Sequence, residues 1–121
     1  TLRVLHPTPD TTGNANADSV VLQVDWRGRP WLLLTGDIDH SLEAFLPAVP
    51  TPVVLASHHG ARNGTGATLL AKTGPQQVIV SAGSGNRYGH PHDQTLGRLS
   101  DRGITVMRTD QDGAVRLKPA W

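Results

Sequence analysis

Cysteine is absent from the 121 residues, which excludes a disulfide framework and any thiolate metal site. The absence leaves the redox compartment open, because a cysteine-free chain suits cytosol and periplasm alike. Lysine and glutamate are almost missing too. Lys72 and Lys118 are the lysines and Glu43 is the single glutamate, so arginine and aspartate carry most of the charge. With 11 basic against 10 acidic residues the net charge is +1. No global field therefore draws the chain to nucleic acid, and such binding would need a local patch. No run approaches the ~18 to 20 apolar residues that span a bilayer. What is present is a hydrophobic content of 37%, with 13 glycines and six histidines. That is the composition of a globular chain, and the length suits one small domain or part of a larger one. The chain opens on Thr1 rather than methionine and reads as a piece of something longer.

Turn residues divide the chain into alternating strands and helices. Leu2 to Leu5 reads as a short strand, followed by a polar loop over residues 7 to 18. Ser19 to Trp26 and Pro30 to Thr35 read as a hairpin around Arg27-Gly28-Arg29. A short helix fits Ser41 to Phe45, stopped by Pro47. Val53 to Ala56 and Gln77 to Ser81 read as buried strands, with a helix over Ala67 to Thr73 between them that ends at Gly74-Pro75. A further helix, capped by Asp93 and running to Arg102, places Leu96 and Leu99 inward. Ile104 to Arg108 and Ala114 to Leu117 then read as a closing strand pair around Asp112-Gly113. The pattern predicts a layered α/β or α+β domain.

Polar, histidine-rich segments follow the C-terminal ends of three predicted strands, where open α/β sheets bind ligands. Asp37 follows Gly36 directly after Trp31 to Thr35, and a glycine there lets the chain turn so that the carboxylate enters a shared site. His58-His59-Gly60 repeats the arrangement after a second strand, and His90 and His92 flank Pro91 in the loop after a third. Asp, His and His are hard oxygen and imidazole ligands, suited to zinc or manganese. Each also has a plain structural reading. Asp37 could cap or turn the chain, the His58–His59 pair could be solvated, and Asn86 and His92 could bond nearby carbonyls in a turn. His40 reads as a helix-end residue, and His6 precedes Pro7 with little to single it out.

The hairpin Ser19 to Val24, then Leu33-Leu34-Thr35-Gly36-Asp37 and Ser57-His58-His59-Gly60-Ala61-Arg62, resembles the second half of a metallo-β-lactamase-fold hydrolase. Ser81-Ala82-Gly83, Asn86-Arg87-Tyr88-Gly89-His90-Pro91-His92, Arg108-Thr109-Asp110 and Asp112-Gly113-Ala114 narrow the likeness. Together they are similar to the C-terminal domain of ComEC-type DNA internalisation competence proteins, from Val4 to Leu117. The Asn-Arg-Tyr-Gly-His-Pro stretch is the most specific part.

The resemblance implies that residues 1–121 are the C-terminal half of an αββα sandwich, one mixed sheet with two or three helices on one face. It implies a metal-dependent phosphodiesterase that degrades the DNA strand not taken up. The parent protein would sit in the bacterial inner membrane, with this domain extracytoplasmic and joined to a channel. Carried over, Asp37 would bridge two divalent ions, manganese or zinc, and His59 would be a ligand. His58 would contact the scissile phosphate, and His90 would bind phosphate or protonate the leaving group. Arg62, Arg87 and His92 would contact substrate. The superfamily's His-x-[His/Asp]-x-Asp-His motif lies in the N-terminal half of the fold and is missing, so this chain alone is expected to be inactive. Asn14 and Asn16 stand where a superfamily histidine usually precedes the hairpin. Expected partners are DNA, the N-terminal half of the domain, the channel, and a second copy through the sheet face left open. A non-catalytic remnant that binds DNA or a partner, and a hydrolase of small phosphoesters, are the alternative readings.

Overall fold

The computed structural model describes residues 1–9 and 19–120. Asn14 and Asn16 lie outside the described residues. Six strands form one sheet in sequence order: β1 (Leu2–His6), β2 (Val21–Trp26), β3 (Arg29–Leu34), β4 (Val53–Leu55), β5 (Gln77–Val80) and β6 (Thr105–Arg108). β1, β2 and β3 are antiparallel neighbours, whereas β3 to β6 run parallel. The switch has a local cause. Arg27 and Gly28 both take positive φ in the two-residue turn between β2 and β3, the geometry that matches strand twist in a tight hairpin. Each later connection crosses over through a helix, which requires parallel strands.

Those helices are α1 (His40–Glu43), α2 (Ala67–Thr73) and α3 (Asp93–Asp101). Leu42, Leu69, Leu70 and Leu99 carry them onto one sheet face, against Val21, Leu33, Val54, Val78 and Val80. Cross-strand register shows why this face is the core: Gln23, Leu33, Val54, Val78 and Val106 stand side by side across β2 to β6. The opposite face carries a second row, Val4, Leu22, Leu34, Leu55, Ile79 and Met107, apolar across all six strands. Burial changes along the row, with Ile79 7% and Val4 62% exposed. The mixed α+β architecture with helices on one face is the expected one.

Two boundaries are corrected. Ala114 to Leu117 is not a strand: after β6 the chain winds into a single turn, α4 (Thr109–Asp112). Asp112 accepts from the Arg108 backbone N–H at 3.0 Å, and Asp110 takes the Arg108 guanidinium in a two-point fork at 3.0 and 2.7 Å. Those carboxylates close a turn where a hairpin was expected. The cap of α3 is His92 rather than Asp93, with the imidazole Nδ1 accepting from Gln94 N–H at 3.1 Å.

Glu43 and Lys72 join α1 to α2. Gly66 has no side chain with which to cap α2, and Glu43 reaches across to do it. Its two oxygens accept from Gly66 N–H at 2.7 Å and Leu69 N–H at 3.2 Å. Lys72 donates in return to the carbonyls of Glu43, Ala44 and Leu46 at the end of α1. No described helix is long and apolar enough to cross a membrane.

Candidate functional site

The C-terminal ends of β3, β4 and β5 point to one rim, and the turns beyond them are stitched together by backbone. His58 N–H donates to Gly36 O at 2.9 Å, which holds the Gly36–Asp37 turn against the histidine pair. Gly36 has φ +58, and a Cβ there would stand 2.9 Å from Val20 O. His92 N–H donates to Gly60 O at 2.9 Å, bringing the third loop in. Gly60 has φ +82, and a Cβ there would meet Pro91 Cβ at 2.7 Å. Only glycine lets the two loops approach so closely.

Asp37, His58, His59, Tyr88 and His90 line one cleft of about 240 Å³ at this rim. The His58 and His90 rings lie 5.6 Å apart and the His58 and His59 rings 6.2 Å apart. His58 and His59 both occupy the left-handed region, at φ 49 and 58. That conformation costs a non-glycine residue about 1–2 kcal/mol, and such strain clusters at functional sites. The strain is held by the surroundings: Thr65 Oγ1 accepts from Ser57 N–H, Thr95 donates to Ala61 O, and Arg98 donates to Gly64 O and Thr65 O.

The imidazoles are in different states of use. His59 Nδ1 lies 2.8 Å from Ser81 O. A carbonyl only accepts, so Nδ1 carries the proton and Nε2 keeps its lone pair for a ligand, the arrangement seen in metal-bound histidines. His90 has its pKa lowered by burial, and by the neighbouring histidines His58, His59 and His92 after that. Loss of hydration, and repulsion between imidazolium rings set close together, both favour the neutral ring. Asp37 makes no hydrogen bond or ion pair with any described residue. It lines the cleft with no partner among those residues.

The remaining expected residues fall outside the cleft. His92 lines neither this cleft nor its neighbour, being taken up as the cap of α3. Arg62 is exposed, with no hydrogen bond or ion pair among the described residues. Arg87 is exposed too, and donates to the Tyr88 hydroxyl at 2.9 Å. His40 opens α1, and His6 is buried at the end of β1. Tyr88 was not singled out from sequence, although it lies inside the most specific stretch. Asn86 was read as a turn residue and is one: its Oδ1 accepts from Tyr88 N–H and His90 N–H, and its Nδ2 donates to Gly83 O and His90 O.

Asp37 and His59 fit the donor set of a zinc or manganese site in kind, one free carboxylate oxygen pair and one oriented imidazole. In number they fit only part of one. Among the described residues no three His, Asp or Glu side chains gather closely enough to hold a metal ion. A larger cavity, about 400 Å³, lies at the other end of the strands between Arg29, Pro30, Pro50, Pro52 and Gln76. It holds no carboxylate and no imidazole, so the smaller cleft is the chemical one.

The fold and its strand-end cleft thus define an α+β domain whose parallel strands end at a histidine-rich cleft. No protein-family model matches the chain. It is similar to the ComE operon protein 3 of Bacillus subtilis (strain 168), 34% identical over 119 residues, which is 95% of this chain and 15% of that protein. It is also similar to the competence protein ComA of Neisseria gonorrhoeae, 31% identical over 118 residues, 93% of this chain and 17% of that protein. The chain is therefore related to a segment of competence proteins and spans less than a fifth of their length.

Proposed function

We propose that this chain is the C-terminal half of a metal-dependent phosphodiesterase domain in a DNA-uptake protein, one that degrades the strand not taken up. The observation that carries the reading is the cleft in which Asp37, His58, His59 and His90 converge from three separate loops. Similarity to two competence proteins supplies the DNA context. The larger protein would lie in the bacterial inner membrane, with this domain on the extracytoplasmic side beside a channel.

In that reading Asp37 and His59 supply two of the donors for a pair of divalent ions, manganese or zinc. Bound ions would provide an activated water and stabilise the leaving oxygen of an in-line displacement. The chain's own residues position the phosphodiester. His58, fixed by its backbone bond to Gly36, and His90, on the rigid Asn86 loop, present imidazole N–H groups to phosphate oxygens. A neutral His90 donates one such bond, and a phosphate beside it would raise its pKa again. Arg62 and Arg87 offer exposed charge for the sequence-independent backbone.

The missing donors would come from the preceding half of the same domain. The apolar row Val4–Leu22–Leu34–Leu55–Ile79–Met107 fits such a partner, since a contiguous apolar face favours association. A homodimer through that face is the competing occupant. The incomplete donor set favours one second reading, a non-catalytic remnant that docks DNA.

The test joins this chain to the segment that precedes it in the longer protein and supplies manganese or zinc. Bound metal near two equivalents, with cleavage of labelled DNA that Asp37→Ala abolishes, is the expected result. Binding of DNA without metal or cleavage would replace the nuclease by the docking remnant. Cleavage unaffected by Asp37→Ala would remove the cleft from the reaction.

A further inference from the structure

A second cavity adjoins the reaction cleft, and the two share a wall made of His59, Tyr88 and His90. The cleft holds Asp37 and His58. The second cavity, about 180 Å³, is closed by Ala82, Gly83 and Asn86 instead. It is smaller than the ~300 Å³ typical of sites for drug-sized ligands, and suits one planar heterocycle. Its outer wall is Tyr88, an aromatic ring left 65% exposed.

That ring is not loose. Its backbone N–H is held by Asn86 Oδ1 at 3.2 Å, its hydroxyl accepts from Arg87 at 2.9 Å, and the His90 ring stacks on it at 5.8 Å and 27°. The Arg87 guanidinium lies 5.1 Å from the ring centroid. An exposed aromatic fixed in place before any ligand arrives loses little entropy on binding one. Asn86 and Ala82, which line the cavity beside it, are already spent. Asn86 uses both donors and both acceptors on loop backbone, and Ala82 N–H and O are both engaged by Thr109 Oγ1. A side-chain amide with all four positions committed cannot read a base edge.

We propose that this cavity takes a nucleobase, unstacked from single-stranded DNA and stacked on Tyr88, beside the phosphate that enters the reaction cleft. The inference rests on the phosphodiesterase reading and names its substrate more closely: a single strand or frayed end, gripped without regard to base identity. A duplex would have to give up a base pair to fill the cavity. Stacking is tolerant of sequence because every base has a π-face.

The test is fluorescence anisotropy of the chain in EDTA, so that cleavage plays no part, with oligothymidylate and with an abasic strand of equal length. Both strands carry the same phosphates. Oligothymidylate is expected to bind at least about fivefold more tightly, the lower end of what one stacked base contributes. Tyr88→Ala is expected to erase that difference, Tyr88→Phe to keep it, and oligodeoxyadenylate and oligodeoxycytidylate to match oligothymidylate closely. Equal binding of thymidylate and abasic strands by the unmodified chain overturns the base pocket. If that equal binding falls with Arg62→Ala, phosphate recognition survives and only the pocket fails. A Tyr88→Ala loss shared equally by both strands also overturns the pocket. Failure of every strand to bind overturns the DNA reading with it.

Discussion

Two polar clusters lie on the helix-covered side and rim of the same sheet, and they are used in opposite ways. In the clamp between α1 and α2, Glu43 is 1% exposed, and each of its oxygens accepts a backbone N–H. Lys72 spends its ammonium on three backbone carbonyls. At the rim, Asp37 bonds to no described residue, His59 keeps one nitrogen unused, and two consecutive histidines sit in a strained backbone region. Polar groups that complete each other serve the fold. Groups that are left incomplete, at a cost in strain, are available to a ligand.

The clamp should therefore dominate stability and the rim should hardly touch it. Glu43→Ala strands two buried N–H groups and removes the side-chain cap of α2, a loss of about 3 kcal/mol. Glu43→Gln, which keeps one acceptor, is expected to lose less. Asp37→Ala is expected to fall within about 0.5 kcal/mol of the unmodified chain. Urea unfolding of the three variants measures this, and an Asp37→Ala loss equal to that of Glu43→Ala would break the comparison.

Gly60→Ala probes the place where rim and fold depend on each other. The new methyl group would meet Pro91 at 2.7 Å, on a backbone at φ +82. The expected cost is about 1–3 kcal/mol. Because the His90 loop must then move away from His58 and His59, the ring-to-ring spacing should open. Histidine side-chain NMR shifts would register that movement, and unchanged shifts would show that the Gly60–Pro91 contact does not set the rim.

Much of this architecture is legible in the sequence, for reasons that differ by element. The β2–β3 hairpin follows from two β-rich runs around Arg27-Gly28, and α2 ends at Gly74-Pro75 as its composition predicts. The rim was legible because glycine-flanked Asp37 and His58–His59 follow buried strands. The end of the chain was not. Ala114 to Leu117 has the alternation of a strand, and Val115 and Leu117 are indeed half-buried. Asp110 and Asp112, however, bond back to Arg108 and turn the chain away from pairing. The cap of α3 was hidden for a different reason: histidine is an uncommon cap, so Asp93 was the natural choice over His92. Tyr88 escaped notice because its value lies in what Asn86, Arg87 and His90 do to it, which no spacing rule expresses.

A small expected gain bears most directly on what the rim is for. His58 holds φ 49 and its side chain makes ring contacts but no hydrogen bond among the described residues. His58→Gly relieves about 1–2 kcal/mol of left-handed strain and adds back about 0.5–1 kcal/mol of glycine flexibility in the unfolded chain. The net expectation is a gain of up to about 1 kcal/mol, read as a raised urea midpoint at unchanged slope. In the joined domain the same variant should lose DNA cleavage. A stability gain coupled to a loss of function would mean that the strain is kept for the sake of the cleft. A stability loss would mean instead that the His58 ring packs for the fold, and the division between clamp and rim would fail at its centre.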